Sequence, residues 1–153
     1  MFAFRDIRRI EGSEIDLVLK RRSPADKSRG YVPAYIFAIV PHGTDTEAGF
    51  CDLRVGHNDN TFYGGNIGYG VHENFRGSHF AAKACLLMKE LAVSHGMDHL
   101  IITCDPDNIA SRKTCEYIGA ALLEIFELPE WTELYKLGKR MKCRYRWEIG
   151  GES

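Results

Sequence analysis

A strand–helix–strand–helix pattern over residues 64–120 constrains the fold of this chain more than any other stretch of its sequence. Residues 66–71 are apolar and glycine-rich, as in a buried strand, and residues 79–94 contain no glycine or proline. Apolar side chains recur in the second segment at the three- and four-residue spacing of a helix face. Residues 98–104 form a nearly continuous apolar run, typical of a central parallel strand. This order predicts one βαβ unit with a right-handed crossover.

The start of the first helix in this unit has the chemistry of an anion-binding site. The segment Arg76-Gly77-Ser78-His79-Phe80-Ala81 is rich in small residues, which allow a ligand to approach the backbone closely. The first turn of a helix has N–H groups without intrahelical partners, and the helix dipole is positive there. Phosphate binding at Gly77 to Ala82 is therefore one interpretation, and an ordinary glycine-containing turn is the other.

Antiparallel strands are predicted on both sides of this unit. Alternating or apolar segments bounded by turn residues indicate strands at residues 14–21, 34–40, 48–55, 120–128 and 141–149. Residues 1–9 form either a short strand or an N-terminal arm. Segments rich in proline, glycine and polar residues predict loops at 23–33, 57–65 and 129–140. The pattern predicts an α/β (α+β) fold with a mixed, mostly antiparallel sheet of six to seven strands.

The last predicted strand has the clearest alternation of apolar and charged residues. Met141 and Cys143 are expected on a buried face, and Lys142 and Arg144 on a solvated face. Such a strand suits an antiparallel neighbour, and residues 120–128 are the natural candidate.

Composition limits the classes of function. The 153 residues are expected to form a single domain, and the formal net charge of −1 gives no electrostatic reason to expect nucleic acid or an anionic membrane as a partner. The apolar run at 34–40 is far too short to cross a bilayer, and the charged N-terminus is unlike a signal peptide. We therefore expect a cytoplasmic protein. The five cysteines and six histidines have no metal-site spacing, so reduced thiols and no metal are expected.

The ordered motifs of residues 66–120 resemble those of the GCN5-related N-acetyltransferase (GNAT) superfamily, and the likeness extends over about residues 34–149. The segment from Arg76 to Ala81 is similar to the acyl-CoA signature Q/R-x-x-G-x-G/A of that family. The segment from Asn108 to Ser111 opens the next helix where the family has Asn-x-x-Ala or Asn-x-x-Ser. Glu116 and Gly119 then match the Tyr-Glu-x-x-Gly pattern of the family.

The resemblance implies a sheet that is splayed between its fourth and fifth strands, with acetyl-CoA in the gap. It implies that pyrophosphate binds at the helix start and that pantetheine pairs like an added strand with residues 69–71. The amine would attack the thioester directly, while backbone donors stabilise the oxyanion. The acyl-CoA-binding core would be about residues 64–120. The implied cofactor-binding residues are Tyr69, Gly70, Val71, Arg76, Gly77, Ser78, His79, Phe80, Ala81, Ala82, Asn108 and Ser111.

The chain departs from the family pattern in four places. His79 stands where the signature has its central glycine, and Cys115 stands where the family usually has a tyrosine acid. Asn66 and Thr103 occupy positions that hold a catalytic glutamate in some branches. The loop at 23–33 replaces two helices that normally wall the acceptor site, so the resemblance does not identify the acceptor.

Groups for proton transfer are therefore few. Cys115 could protonate the leaving CoA thiolate, or it could be a buried residue that only shapes the pantetheine channel. Asp52, His72 and Glu73, or a chain of water molecules, are the candidates for a general base.

The resulting hypothesis is an acyl-CoA-dependent N-acetyltransferase that acts on a small-molecule amine or a peptide amino terminus. A non-catalytic acyl-CoA-binding or regulatory module is the alternative, and a structural protein that binds no CoA is a third. Trp131 and Tyr135 in the late loop could wall the acceptor pocket or form a homodimer contact.

Overall fold

The computed structural model describes residues 1–150 of the chain. In chain order its elements are β1 (Arg9–Glu11), β2 (Ile15–Ser23), β3 (Ala34–Pro41), β4 (Gly49–Arg54), α1 (Asp59–Gly64), β5 (Ile67–Val71), α2 (Phe80–Ser94), β6 (His99–Cys104), α3 (Ile109–Ile118), β7 (Ala121–Glu127), α4 (Glu133–Lys136) and β8 (Met141–Glu148). A short 3₁₀ turn at Glu73–Phe75 connects β5 with the segment that enters α2.

The strands form two sheets. The first has the order β1-β2-β3-β4-β5 and the second has the order β6-β8-β7, and neighbouring strands in both are antiparallel. The predicted α/β class is confirmed, and β8 pairs with the predicted neighbour β7. The structure has eight strands rather than six to seven, because Arg9–Glu11 pairs with the beginning of β2. The expected parallel ladder between β5 and β6 is absent from residues 1–150, since the two strands are edges of different sheets.

Asn66 joins the two sheets at one end of the gap between β5 and β6. Its backbone N–H donates to the carbonyl of Ile101 at 2.6 Å, and its side-chain Oδ1 accepts from the N–H of Ile101 at 2.9 Å. Its Nδ2 donates to the carbonyls of Arg54 and Gly56 at 3.0 and 2.8 Å. We call this region, comprising Asn66, Gly56 and Ile101, the closed end of the gap.

Helix α2 covers the inner face of the first sheet and carries much of the core. Its small and apolar side chains meet those of β2, β3 and β4, and burial of each large aliphatic side chain contributes roughly 1.5–3 kcal/mol. The second sheet closes the same core from β6 and β8. Central buried residues are Leu17, Phe37, Leu53, Ala84, Met88, Leu100, Ile102, Tyr145 and Trp147.

Two predicted loops contain short helices. Helix α1 lies inside the segment predicted as a loop at 57–65, where the Asn58 side chain and Thr61 form a reciprocal capping box. Helix α4 lies inside the loop predicted at 129–140 and is capped by the side chain of Thr132. The segment between β2 and β3 is a loop as predicted, stabilised by an isolated bridge between Asp26 and Tyr31.

The alternation predicted for β8 is wrong at three positions. Lys142 and Arg144 are 8% and 1% exposed, whereas Met141 is 40% exposed. The Arg144 guanidinium lies 3.6 Å from the ring centroid of Phe62 and 3.9 Å from that of Phe126. Arg144 also donates to the Phe62 carbonyl and pairs with the carboxylate of Glu124, while Lys142 pairs with that of Asp105. These contacts compensate the cost of burying two cations.

Candidate functional site

The edge of β5 that faces the gap is available to an extended ligand. The N–H of Arg54 donates to the Asn66 carbonyl, and the N–H of His72 donates to the Ala48 carbonyl. Backbone groups alternate along a strand, so the Asn66 carbonyl, residues 68 and 70, and the His72 N–H face β4, whereas Tyr69 and Val71 present their backbone groups to the gap. This is the geometry that strand-like pairing of a ligand with residues 69–71 requires.

At Gly70, the ring of Phe50 covers the outer face of β5. The backbone of Gly70 faces β4, and a Cβ atom at this position would lie 2.5 Å from the ring of Phe50. A larger residue would displace that ring, which lies directly over the strand. Gly70 therefore makes room for the Phe50 ring, and its backbone groups face β4 rather than the gap.

The turn into α2 lies at the opposite end of the gap from Asn66, and we call residues 76–79 the open end. Gly77 has a φ of +99°, and apart from its two chain neighbours no residue has an atom within 4 Å of the place that a Cβ atom would occupy. Residues 76–79 are exposed, and the helix start has no side-chain cap. Arg76 donates from its Nε to the carbonyl of Val71 at 2.9 Å, which places its guanidinium where β5 ends. The arrangement leaves helix-start N–H donors beside a cation, as anion binding requires.

His79 has the backbone conformation that glycine favours. Its φ of 60° and ψ of 31° lie in the left-handed region, and His79 is the residue immediately before α2. The imidazole stacks on the ring of Tyr117 in α3, with centroids 4.4 Å apart and planes at 21°. The side chain is thus directed to α3 while the backbone keeps the conformation of the signature glycine, at a cost of roughly 1–2 kcal/mol.

The first turn of α3 brings Ser111 to the gap. Asn108 accepts from the Ser111 N–H at 3.1 Å through its side chain, so it caps the helix. Ser111 is buried, and its Oγ lies 2.7 Å from the hydroxyl of Tyr69. The side chain of Ser111 therefore reaches β5, whereas the side-chain amide of Asn108 caps α3.

Cys115 is buried one helical turn after Ser111. Its Sγ lies 4.0 Å from the hydroxyl oxygen of Tyr69. Burial raises the pKa of the Cys115 thiol to about 12, and burial together with the nearby Cys115 raises the pKa of Tyr69 well above its usual value. Both groups are protonated at neutral pH, so each is a donor rather than a base.

The candidate bases lie apart from these donors. Asp52 pairs in register with Gly68, on the opposite face of the sheet from Tyr69, and its Oδ1 accepts from the Gly68 N–H at 3.0 Å. The Arg54 guanidinium lies 3.3 Å from the same oxygen. His72 and Glu73 are exposed on the turn after β5, outside the sheet. Asp52 is thus the candidate carboxylate that lies over the strand beside the gap.

The side chains of Asn66 and Tyr69 make contacts that the sequence motifs do not predict. Asn66 is fully buried and forms the hydrogen bonds of the closed end, which no short-range pattern indicates. Tyr69 was predicted to contribute only its backbone, whereas its hydroxyl joins β5 to α3. The signal that could have identified this contact is a tyrosine on the inner face of a strand, followed by a helix that begins Asn-x-x-Ser.

A further cleft lies apart from the gap. It has a volume of about 800 Å³ and is formed by the loop before β3, the start of α1 and the segment around α4. Trp131 lines this cleft, while the ring of Tyr135 lies 3.7 Å from the Arg140 guanidinium. The remaining lining residues are polar or charged, among them Arg29, Asn58, Asp59, Glu133 and Lys136.

No group of three or more histidine, cysteine or acidic side chains in residues 1–150 is arranged to hold a metal ion. The helices in this part of the chain are all too short or too polar to cross a bilayer.

Comparison with known proteins gives one family and many similar structures. Residues 9–121 match the family described as acetyltransferase (GNAT) domain. Comparison with curated protein sequences gives no significant match. A probable GNAT-family acetyltransferase from Chromobacterium violaceum is 13% identical, with 94% of this chain and 87% of that chain covered and a TM-score of 0.67.

Two further similar structures contain bound ligands. The microcin C7 self-immunity acetyltransferase MccE, in complex with acetyl-CoA and AMP, is 24% identical, with 76% of this chain and 61% of that chain covered and a TM-score of 0.58. RimL, a ribosomal L7/L12 alpha-N-protein acetyltransferase in complex with coenzyme A, is 14% identical, with 94% of this chain and 99% of that chain covered and a TM-score of 0.67. At these identities the likeness shows a shared fold.

Proposed function

Because this chain belongs to the GNAT acetyltransferase family, we propose that it transfers the acetyl group of acetyl-CoA to a primary amine of a small molecule or a peptide amino terminus. The family match confirms the resemblance found in the sequence motifs. The observation that carries the proposal is the free edge of β5 next to the uncapped start of α2, across a gap that no strand ladder closes within residues 1–150.

In this proposal, the cofactor lies along the gap from its open end. The N–H groups of residues 77–82 and the Arg76 guanidinium bind the pyrophosphate, because both the helix dipole and the cation favour anions. The backbone of Tyr69 and Val71 pairs with the amides of pantetheine. Ser111 lies beside pantetheine, and the helix cap formed by Asn108 fixes the turn of α3 that carries Ser111.

The acceptor approaches from the outer face of β5. Asp52 lies on that face beside Gly68, while the ring of Phe50 covers Gly70. The amine nitrogen attacks the thioester carbonyl, whose developing oxyanion is stabilised by backbone N–H donors along the gap. Asp52 or a water molecule receives the proton that the amine loses. The name of RimL indicates a protein amino terminus as its acceptor, whereas that of MccE states no acceptor, so both a peptide and a small-molecule amine belong in the proposal.

A non-catalytic acyl-CoA-binding module is the second candidate. It is favoured by Cys115, because this residue replaces the family tyrosine, is completely buried, and has a thiol, which is a poorer hydrogen-bond donor than a phenol. In that case, the protein would bind acetyl-CoA and would acetylate no amine.

Thermal melting with acetyl-CoA or CoA tests the binding step. A ligand at about 100 times its Kd stabilises the native state by about 2.7 kcal/mol, or roughly 5–10 °C for a chain of this size. The variant Gly77→Glu places a carboxylate in the anion site and should lose the shift. Gly138→Glu is the matched control, because Gly138 has a φ of +97° and equally open surroundings outside the proposed site.

The outcomes separate the candidates. A shift in the wild type and in Gly138→Glu, but not in Gly77→Glu, supports the proposed cofactor site. A wild type that shows no shift with either ligand contradicts it. Release of free CoA thiol in the presence of a panel of amines and short peptides then distinguishes the enzyme from the binding module.

A further inference from the structure

The Tyr69 side chain crosses the gap in which the cofactor is proposed to lie. It leaves β5 on the inner face, opposite Cys51 in register, and reaches α3. Its hydroxyl oxygen lies 2.7 Å from Ser111 Oγ and 4.0 Å from Cys115 Sγ. The strand that would pair with pantetheine thus carries the Tyr69 side chain, and the hydroxyl group of this side chain reaches α3 on the other side of the gap.

We propose that the Tyr69 hydroxyl is a catalytic residue that donates a proton to the CoA sulfur as the thioester carbon–sulfur bond breaks. This inference rests on the proposed function and assigns a side-chain role to a residue considered so far only for its backbone. The group would act from β5, whereas the family acid acts from the position of Cys115 in α3.

The hydrogen bond between the two hydroxyls leaves one proton available. Tyr69 and Ser111 each carry one O–H group, and the contact between them uses one of these two hydrogens. When Ser111 donates to the Tyr69 oxygen, the phenolic O–H has only long contacts to internal acceptors, 3.4 Å to the Ser111 carbonyl and 4.0 Å to Cys115 Sγ, and it can turn to a closer ligand atom. Burial raises the pKa of the phenol, which keeps its O–H group at neutral pH and also makes it a weaker acid, so its proton moves only as negative charge develops on the sulfur.

Cys115 is a weaker candidate for the same task. A thiol is a poor hydrogen-bond donor compared with a hydroxyl, and this one is completely buried. Its Sγ lies next to the Tyr69 hydroxyl, so a tyrosine at this position would occupy the space that the phenol takes. The small side chain at 115 and the phenol at 69 are therefore complementary.

The proposed step is balanced in protons and electrons. The amine nitrogen forms a bond to the carbonyl carbon, and the carbon–sulfur bond then breaks with its electron pair on sulfur. Tyr69 transfers its proton to that sulfur, which gives the CoA thiol. Water reprotonates the phenolate, which Ser111 holds by donating a hydrogen bond, while the proton lost by the amine passes to Asp52 or water.

Binding of CoA and of desulfo-CoA, in which hydrogen replaces the thiol, tests the contact without an acceptor. A hydrogen bond to sulfur should make the wild type prefer CoA, and Tyr69→Phe should lower that preference by about fivefold. Tyr35→Phe is the matched control, because Tyr35 is a buried tyrosine of the same sheet whose hydroxyl bonds to Arg5 and His95. This control should lower the melting temperature and leave the sulfur preference unchanged.

Turnover provides the second measurement. With an amine that the wild type acetylates, Tyr69→Phe should lower kcat by about 100-fold and change the KM for acetyl-CoA by less than about threefold. An unchanged sulfur preference in Tyr69→Phe, with only a lower melting temperature, would show that the hydroxyl is a structural brace and would overturn the inference. If the wild type binds neither compound, the proposed function itself fails.

Discussion

The two ends of the gap between β5 and β6 use polar groups in opposite ways. At the closed end, Asn66 is completely buried, and both its side-chain amide and its backbone N–H bond to neighbouring strands. At the open end, residues 76–79 are exposed and the start of α2 has no side-chain cap. Polar groups that bond to each other hold the two sheets together, whereas polar groups without internal partners are available to a ligand.

This comparison explains how the two sheets can separate at the open end while hydrogen bonds hold them together at the closed end. The closed end supplies the hydrogen bonds that a continuous ladder would otherwise provide, concentrated on the pair Asn66 and Ile101. Towards the open end, Tyr69 and Ser111 form the next polar contact, between a strand and a helix. This distribution of hydrogen bonds predicts that substitutions at the closed end affect stability most, and that substitutions at the open end affect ligand binding most.

The largest expected effect is the loss of stability in Asn66→Ala. The substitution leaves the Ile101 N–H and the carbonyls of Arg54 and Gly56 without their partner in a buried site. We expect the free energy of unfolding to fall by about 3 kcal/mol, measured by urea denaturation at constant m-value. The control is Asn108→Ala, which removes an exposed helix cap and should cost about 1 kcal/mol. Equal losses in the two variants would contradict the distinction between the ends.

The sequence could predict those features that depend on neighbouring residues. The cap at Asn108, the end of α3 at Gly119 and the helix over Phe80–Ser94 all follow from local patterns, and the structure has them. The family motifs likewise identified the turn at Arg76 and Gly77 as the place to look for anion binding.

Features that depend on distant partners could not be predicted in this way. Asn66 bonds to Ile101, which is 35 residues away, so the sequence indicated only that a glutamate was missing. Arg144 is buried because the rings of Phe62 and Phe126 enclose it, and one of these belongs to a helix that was predicted as a turn. The reach of Tyr69 to Ser111 spans 42 residues and depends on the way α3 packs.

At the open end, the conformation of His79 predicts an intermediate effect. Both His79→Gly and His79→Ala remove the stack on Tyr117, so the difference between them isolates the backbone contribution. A glycine at this position would be unstrained in the left-handed region, and we expect His79→Gly to be more stable than His79→Ala by about 1 kcal/mol in thermal or urea unfolding.

The substitutions Glu90→Gly and Glu90→Ala, inside α2, are the control for this comparison of glycine with alanine. There glycine should be less stable than alanine by about 1 kcal/mol, because the backbone is helical. The same order of stability at both positions would mean that His79 is not held in the left-handed conformation in solution.

The smallest expected effect is a pH dependence at the closed end. The ring of His57, next to Gly56, stacks on that of His99 at 4.1 Å, and His99 also bonds to the carboxylate of Asp98 at 2.7 Å. Partial burial lowers the pKa of His57, and the neighbouring His99 and Arg146 lower it further, while Asp98 opposes the shift. The folded protein therefore binds a proton at His57 less readily than the unfolded chain, in which a histidine has a pKa of about 6.5.

The sign of the pH effect follows from that difference. Above about pH 6.5, His57 is neutral in both states and its contribution to stability is complete. As the pH falls from there through the lower folded pKa, the unfolded chain takes up more protons and the folded state loses stability. The slope of unfolding free energy between about pH 7.5 and 5 should therefore be smaller in His57→Gln than in the wild type. His79→Gln is the comparison variant, because it removes a histidine of the open end that stacks on the ring of Tyr117. A slope reduced equally by both substitutions would show that the histidine pair at the closed end has no special sensitivity to protonation.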